Sequence, residues 1–299
     1  MSDFGAAVKL TRPECLTYNC ATSPDLSRVR SLLFAPGSDE RKLVKALGSA
    51  ADAVVADLED AVAPDEKAAA RALVRDVFAA AGDAPGPLRL VRVNAVGTAF
   101  HADDMTAVAS IAPDAIVLPK ATPQSVDALG ADGPPVVAIV ETAQGVRLAY
   151  EIASRPRVAA LQIGAVDLGA EVGFAPRPDG LEILYVRSKL VLDSVAAGRR
   201  SPFDVVHVDV EAGGALEEEC RLARSLGFRG KACIHPSQVP VVNRSFTPSE
   251  AELAWARKVL DAYDAGTAEG RGAVALDGAM IDLPVVERAR RLLAETERR

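Results

Sequence analysis

At 299 residues, with 49% hydrophobic but only 4% aromatic content, the chain can bury a large core built mainly from alanine, valine and leucine. Its net charge of −7, with no basic stripe interleaved with aromatics, argues against a nucleic-acid surface, and no apolar stretch approaches the ~20 residues that cross a bilayer. The four cysteines (Cys15, Cys20, Cys220 and Cys233) follow neither a disulfide framework nor zinc spacing. The first 28 residues show no charged segment followed by an apolar one, so a cytoplasmic chain is expected.

Residues 1–28 read as a poorly ordered extension. Eight short apolar runs follow. Arg30–Ala35 precedes Pro36-Gly37, and Ala53–Ala56 leads into Asp57-Leu58-Glu59-Asp60. Leu88–Val93 carries Arg92 and is followed by Asn94, and Ala115–Leu118 runs into Pro119-Lys120. Val136–Val140 ends at Glu141, Leu161–Val166 at Asp167, Asp204–Val208 at Asp209, and Ala232–Ile234 at His235. The runs are mostly continuous rather than alternating, which is how strands buried on both faces read. Helix-like stretches lie between them. Asp39–Ala50 puts Leu43, Ala46, Leu47 and Ala50 on one face. Leu216–Leu226 does the same with Leu216, Cys220, Ala223 and Leu226, and Gly227 follows as a helix-ending residue. Strand–helix units repeated eight times predict an α/β fold, a (β/α)8 TIM barrel over residues 29–246, with the polar strand ends gathered at one face.

The remaining residues, 247–299, predict C-terminal helices. Thr247 serves as N-cap, with Pro248 at the first helical position and Glu250 at the third. The apolar face Leu253, Ala256, Val259, Leu260 and Tyr263 runs to a helix end near Gly266. A glycine-rich connector then leads to a hairpin turned at Asp277-Gly278. Asp282 stands before Pro284 and a last helix. This tail could be a lid over the barrel mouth, although a helix packed on the barrel is the simpler expectation from pattern alone.

Two acids single themselves out. A carboxylate at the mouth of an apolar strand is costly unless water, a cation or a hydrogen-bonding substrate meets it. Glu141 and Asp167, on successive strands, therefore suggest a hard-cation site. Each alone could equally cap the next helix.

The blocks Arg30–Gly37, Asp57–Val62, Val91–Asn94, Leu118–Lys120, Glu141-Thr142, Gly164–Leu168 and Ile234–Gln238 resemble, in order, those of the citrate lyase beta-subunit-like family of the HpcH/HpaI aldolase superfamily. The resemblance spans about residues 28 to 290 and includes Met280–Pro284. It implies a Mg²⁺-dependent lyase, with Mn²⁺ as a substitute, that breaks a C–C bond beside a coenzyme A or carrier thioester. Malyl-CoA, citramalyl-CoA and citryl thioesters are the typical substrates. By resemblance Glu141 and Asp167 hold the metal, Arg92 binds substrate and stabilises negative charge, and Asp282 is the acid–base group. Phe34, Arg41 and Lys45 hold the coenzyme A moiety, and Val208 and Asp209 contact substrate. Asp57, Glu59 and Asp60 are expected to orient Arg92 or metal-bound water. The family pattern places the lid over a neighbouring subunit's site, implying a homotrimer or hexamer. Thioester hydrolysis also occurs among relatives. A beta subunit working inside a citrate lyase complex and a non-catalytic barrel are the alternatives. Val166 stands where many relatives carry an acid. A pyruvate-specific aldolase is disfavoured, because the second strand ends in Asp-Leu-Glu-Asp without a histidine. His101 and His207 read as ordinary, His235 as shaping a loop, and Cys233 as buried and inert.

Overall fold

The computed structural model describes residues 25–82, 85–209 and 213–297. The expected extension therefore lies, through residue 24, outside the described residues, as do Cys15 and Cys20. Leu26–Arg28 form a single 3-10 turn, capped by Asp25, with Leu26 buried.

Seven strands form one parallel sheet: β1 (Ser31–Pro36), β2 (Ala53–Asp57), β3 (Leu88–Arg92), β4 (Ala115–Leu118), β5 (Val136–Val140), β6 (Val158–Ile163) and β7 (Lys231–Cys233). Their order is β6-β5-β4-β3-β2-β1-β7. The sheet curls until its two edge strands share one short segment. Phe203 bridges to Gln162 of β6, and Asp204 bridges to Lys231 of β7, both in parallel sense. The segment's N–H groups donate to Leu161 O at 2.9 Å and Gly230 O at 2.9 Å.

The strands carry aliphatic side chains on both faces because both faces are covered. Val54 and Ala56 of β2 pack toward the helices. Ala53 and Val55 point the other way, into a cluster with Leu32, Leu90, Val117, Val137, Ile139 and Phe203. That second cluster draws on every strand from β1 to β6, so the concave side of the sheet is a filled core. Small and branched residues suit it, since a narrow interior cannot seat many aromatics.

Several sequence expectations need correction. The sixth strand is Val158–Ile163, not Leu161–Val166: the apolar run continues past Gly164 into the helix Ala165–Val172. Asp167 consequently sits in that helix's first turn rather than at a strand end. Of the expected strand Asp204–Val208, only Asp204 bridges, together with Phe203 before it. A buried ionic cluster fixes Asp204 there, with Arg187 Nε at 2.9 Å from Oδ1 and Lys231 Nζ at 3.0 Å from Oδ2. The last strand ends at Cys233, and Ile234 is exposed.

In the tail, the helix Glu250–Ala268 is capped by Ser249, whose box partner is Glu252, rather than by Thr247. The Thr247 hydroxyl is already engaged, accepting from Arg30 Nη1 at 2.9 Å and donating to Asn243 O at 2.6 Å. The helix runs past Gly266, which packs against Val274; a Cβ there would meet Val274 Cγ1 at 2.0 Å. The hairpin β8 (Val274–Leu276) and β9 (Ala279–Ile281) turns at Asp277 and Gly278, both at positive φ. With the helix Leu283–Glu297, these elements share a separate small core that includes Ala256, Val259, Ile281 and Val286.

Candidate active site

Strand register assembles the site. In the β2–β3 pairing Asp57 lies opposite Arg92, so the two last residues of neighbouring strands project side by side. Arg92 donates from Nε to Asp57 Oδ1 at 2.7 Å and from Nη2 to Asp57 Oδ2 at 2.6 Å, a bidentate fork. Its Nη1 lies 2.9 Å from Glu59 Oε2 and 3.6 Å from Asp60 Oδ2. The Phe34 ring of β1 lies beside the guanidinium, 5.4 Å from ring centre to Cζ. Burial would lower the Arg92 pKa, but the Asp57 hydrogen bonds and the charges of Asp57, Glu59 and Asp60 outweigh it and raise it further. Arg92 is thus a permanent cation with a fixed orientation, and Nη2, which meets only Asp57, keeps an N–H for a ligand.

The turn after β2 is held from behind. Buried Lys67 donates to Leu58 O at 2.8 Å and Glu59 O at 2.8 Å. Asn94 Nδ2 donates to Leu58 O at 2.9 Å and to Asp104 Oδ2 at 2.6 Å, and Asp104 is anchored in turn by Arg71 at 2.7 Å. These contacts aim Glu59 inward, where its pKa is raised by burial despite the nearby Arg92 and Lys120 charges.

Lys120 is the residue that sequence reasoning left without a role. It follows β4 with φ of 48°, an uncommon conformation for a side-chain-bearing residue. Its N–H donates to Glu141 Oε1 at 2.7 Å. Its ammonium reaches Glu59 Oε1 at 3.1 Å and Asp167 Oδ1 at 3.6 Å. Burial works to lower the Lys120 pKa, but the carboxylates of Glu59, Glu141 and Asp167 prevail and raise it. The sequence carried no signal for this, because a left-handed residue after Leu118-Pro119 and its contacts across three strands exist only in the fold.

Glu141 follows β5 and is almost fully buried. Burial, with the repulsion of Asp167 and Glu59 added, pushes its pKa up to about 7 against the opposing Lys120 amide and charge. Gly164 lies against it: a Cβ there would stand 2.4 Å from Glu141 Oε2 and 2.5 Å from its Cβ. Asp167 is partly exposed. A buried acid held near a second, partly exposed acid is a donor set suited to a hard divalent cation. Among the described residues, no cluster of three or more metal-ligating side chains occurs.

The other candidates lie elsewhere. Arg41 and Lys45 are exposed one turn apart on the helix Glu40–Leu47, which Asp39 caps. Val208 and Asp209 are exposed beyond the Asp204 bridge. Val166 is 62% exposed. His101 Nδ1 lies 2.8 Å from Asn94 O, and His207 Nδ1 lies 2.8 Å from Glu219 Oε2. His235 is exposed beside Ser237. Cys233 is buried, and burial pushes its thiol up to about 12, so it stays protonated and inert. Asp282 begins the last helix, its Oδ1 accepting from Val285 N at 3.4 Å. That helix meets the body of the protein through Glu295, which pairs with Arg229. Glu252 of the preceding helix meets Arg224 at 3.0 Å.

A parallel α/β sheet thus presents an oriented arginine, a lysine and acids at its strand C-termini, where enzymes of this architecture place their active sites. Residues 30–236 match the HpcH/HpaI aldolase/citrate lyase family, and the chain belongs to it. It is 38% identical over 271 residues to a (3S)-malyl-CoA thioesterase of Cereibacter sphaeroides, covering 90% of this chain and 94% of that protein. It is 40% identical over 272 residues to a citrate lyase subunit beta-like protein of Mycobacterium tuberculosis, covering 87% of this chain and 93% of that one. It is also similar to the crystal structure of CitE from Mycobacterium tuberculosis in complex with magnesium, acetoacetate and coenzyme A. There the TM-score is 0.78 and the identity 38%, over 91% of this chain and 100% of that one.

Proposed function

We propose that the protein cleaves a 3-hydroxyacyl-CoA thioester, such as malyl-CoA or citramalyl-CoA, into acetyl-CoA and a keto acid, with Mg²⁺ as cofactor. The observation that carries this reading is the convergence of Arg92, held bidentately by Asp57, with Glu141, Asp167 and Lys120 at one end of the sheet. Similarity to a relative crystallised with magnesium and coenzyme A supports it. The fold is then the eight-stranded barrel of the family, with Phe203–Asp204 as its shortest strand.

Glu141 and Asp167 are the residues that would hold the cation, which when bound supplies Lewis-acid polarisation of the keto-acid oxygens. Arg92 stabilises oxyanion charge through its remaining Nη2 N–H and its positive charge without reorganising, because Asp57 and Glu59 already fix it. Lys120 keeps Glu59 and Asp167 compensated while the ligand is absent. In the cleavage, an acid–base group takes the proton of the 3-hydroxyl, the C2–C3 bond breaks, and its electron pair becomes the acetyl-CoA enolate. The same group returns the proton to the enolate carbon. Asp282 is our candidate for that group, delivered by residues 247–299 acting as a lid. Arg41 and Lys45 are the side chains placed to meet the coenzyme phosphates. Val208 and Asp209 would line the acyl end.

The similarity to a malyl-CoA thioesterase favours a second reading of the same site, in which water attacks the thioester. One assay separates the two. The purified protein is given malyl-CoA, citramalyl-CoA and citryl-CoA with Mg²⁺ or with EDTA. Acetyl-CoA plus keto acid, lost in EDTA, supports the lyase. Free CoA without acetyl-CoA supports hydrolysis. Silence on all three substrates sinks both.

A further inference from the structure

At the end of the sheet opposite the carboxylates, where the strands begin, lies a cleft of about 890 Å³ between the sheet and the last helix. Eight arginines and two glutamates line it. This is an odd concentration in a chain of net charge −7. Some of these cations are matched: Arg224 by Glu252, Arg229 by Glu295, and Arg30 by Asp52 at 2.7 Å. Three are not. Arg221 and Arg291 are exposed and make no ion pair among the described residues. Arg200 is the sharper case. Its guanidinium lies on the Phe203 ring at 3.9 Å, and Nη2 donates to Val29 O at 3.1 Å. Its Nε and Nη1 are shut off from solvent without an acceptor among the described residues.

An unmatched buried guanidinium is costly, and more so beside other cations. Burial and the Arg229 charge pull the Arg200 pKa down to about 9, against Asp25 and Asp52. Burial, with Arg291 and Arg224, lowers that of Arg229 as well. A fold that retains such an arrangement is poised for an anion. Planar arginine forks match phosphate and carboxylate oxygens two at a time, and the volume is that of a small-molecule site.

We propose that this cleft binds a multivalent oxyanion, of the polyphosphate class, through Arg200, Arg221 and Arg291. The site is separate from the coenzyme phosphates, which the proposed function places near Arg41 and Lys45 at the other end of the sheet. Because Arg291 rides on the helix that Asp282 begins, the bound anion also pins that helix to the sheet.

The test is calorimetric titration and thermal unfolding of the full chain with tripolyphosphate at constant ionic strength, with sulfate and citrate as parallel arms. Wild type is compared with R221E/R291E, R41E/K45E and Arg200→Met. The expected result is saturable binding in wild type and R41E/K45E that is at least tenfold weaker in R221E/R291E. Arg200→Met should raise the melting temperature without anion, by removing an unmatched charge, and should abolish stabilisation by tripolyphosphate. Citrate matching tripolyphosphate would reassign the anion to a polycarboxylate and overturn the polyphosphate assignment. Binding that survives R221E/R291E but is lost in R41E/K45E would overturn the separate site, as would an effect no greater than that of sulfate.

Discussion

Lys120 carries two functions that can be separated by substitution. Its amide fixes Glu141, and its ammonium bridges Glu59 and Asp167. Because its φ of 48° is one that glycine adopts freely, Lys120→Gly keeps the backbone and its amide while removing the side chain with its charge. The expected outcome is a lowered melting temperature in metal-free protein, because Glu59 and Asp167 lose this cation, with turnover or apparent metal affinity reduced by about 10- to 100-fold. Steady-state kinetics across a Mg²⁺ titration check it; unchanged kinetics would reduce Lys120 to a backbone role. Glu141 makes the complementary case in metal-free protein. Its folded pKa of about 7 lies above the usual 4.5, so between those values the folded state holds a proton the unfolded state has lost. Stability in EDTA should therefore fall as pH rises from about 4.5 to 7 and level off above, by a total on the order of 3 kcal/mol. Glu141→Gln keeps an acceptor for the Lys120 amide and should flatten that slope while abolishing Mg²⁺-dependent activity. Denaturant unfolding at several pH values reads it directly.

At the scale of elements, the join between β6 and the next helix decides whether the acids can meet. Gly164 is there because nothing larger fits against Glu141. Gly164→Ala should displace the Glu141 carboxylate, costing about 1–3 kcal/mol of stability and most of the metal response. Activity restored at high Mg²⁺ would show a shifted rather than a lost ligand, and wild-type kinetics would refute the close approach. This join also shows what the sequence could and could not disclose. Strands buried on both faces announce themselves as apolar runs, so β1 to β5 were legible within a residue or two. The sixth run was misplaced because Gly164 caps the following helix without a side-chain hydrogen bond, leaving no start signal to read. Thr247 and Ser249 each head a pattern of hydroxyl residue and glutamate three positions on, and only tertiary contacts to Arg30 and Asn243 show which one caps. Asp57 and Asn94 stood inside recognisable blocks. The pairing of Asp57 with Arg92, however, is a matter of strand register, which spacing along the chain does not encode.

For the whole molecule the open question is geometric, and it concerns Asp282. The two C-terminal helices and the hairpin form a core of their own. Their ionic ties to the body, Glu252 to Arg224 and Glu295 to Arg229, lie toward the end where the strands begin. Arg229 precedes β7 by two residues, whereas Glu141 follows β5. A strand of five residues separates such ends by about 17 Å. If Asp282 serves as the acid–base group, it reaches a carboxylate site either along the length of its own last helix or from another copy of the chain across a symmetric interface. Subunit mixing tests the second arrangement. Asp282→Ala and Glu141→Gln should each be inactive alone, and mixed oligomers should regain activity, because some interfaces then pair an intact Glu141 with an intact Asp282 from the neighbour. Activity that stays absent after verified subunit exchange, or an active monomer in sedimentation, would place Asp282 in its own chain's site or remove it from the chemistry. Since the last helix also lines the arginine cleft, the mixed oligomers should be assayed with and without tripolyphosphate. A change in recovered activity would tie occupancy of the cleft to the reach of the tail.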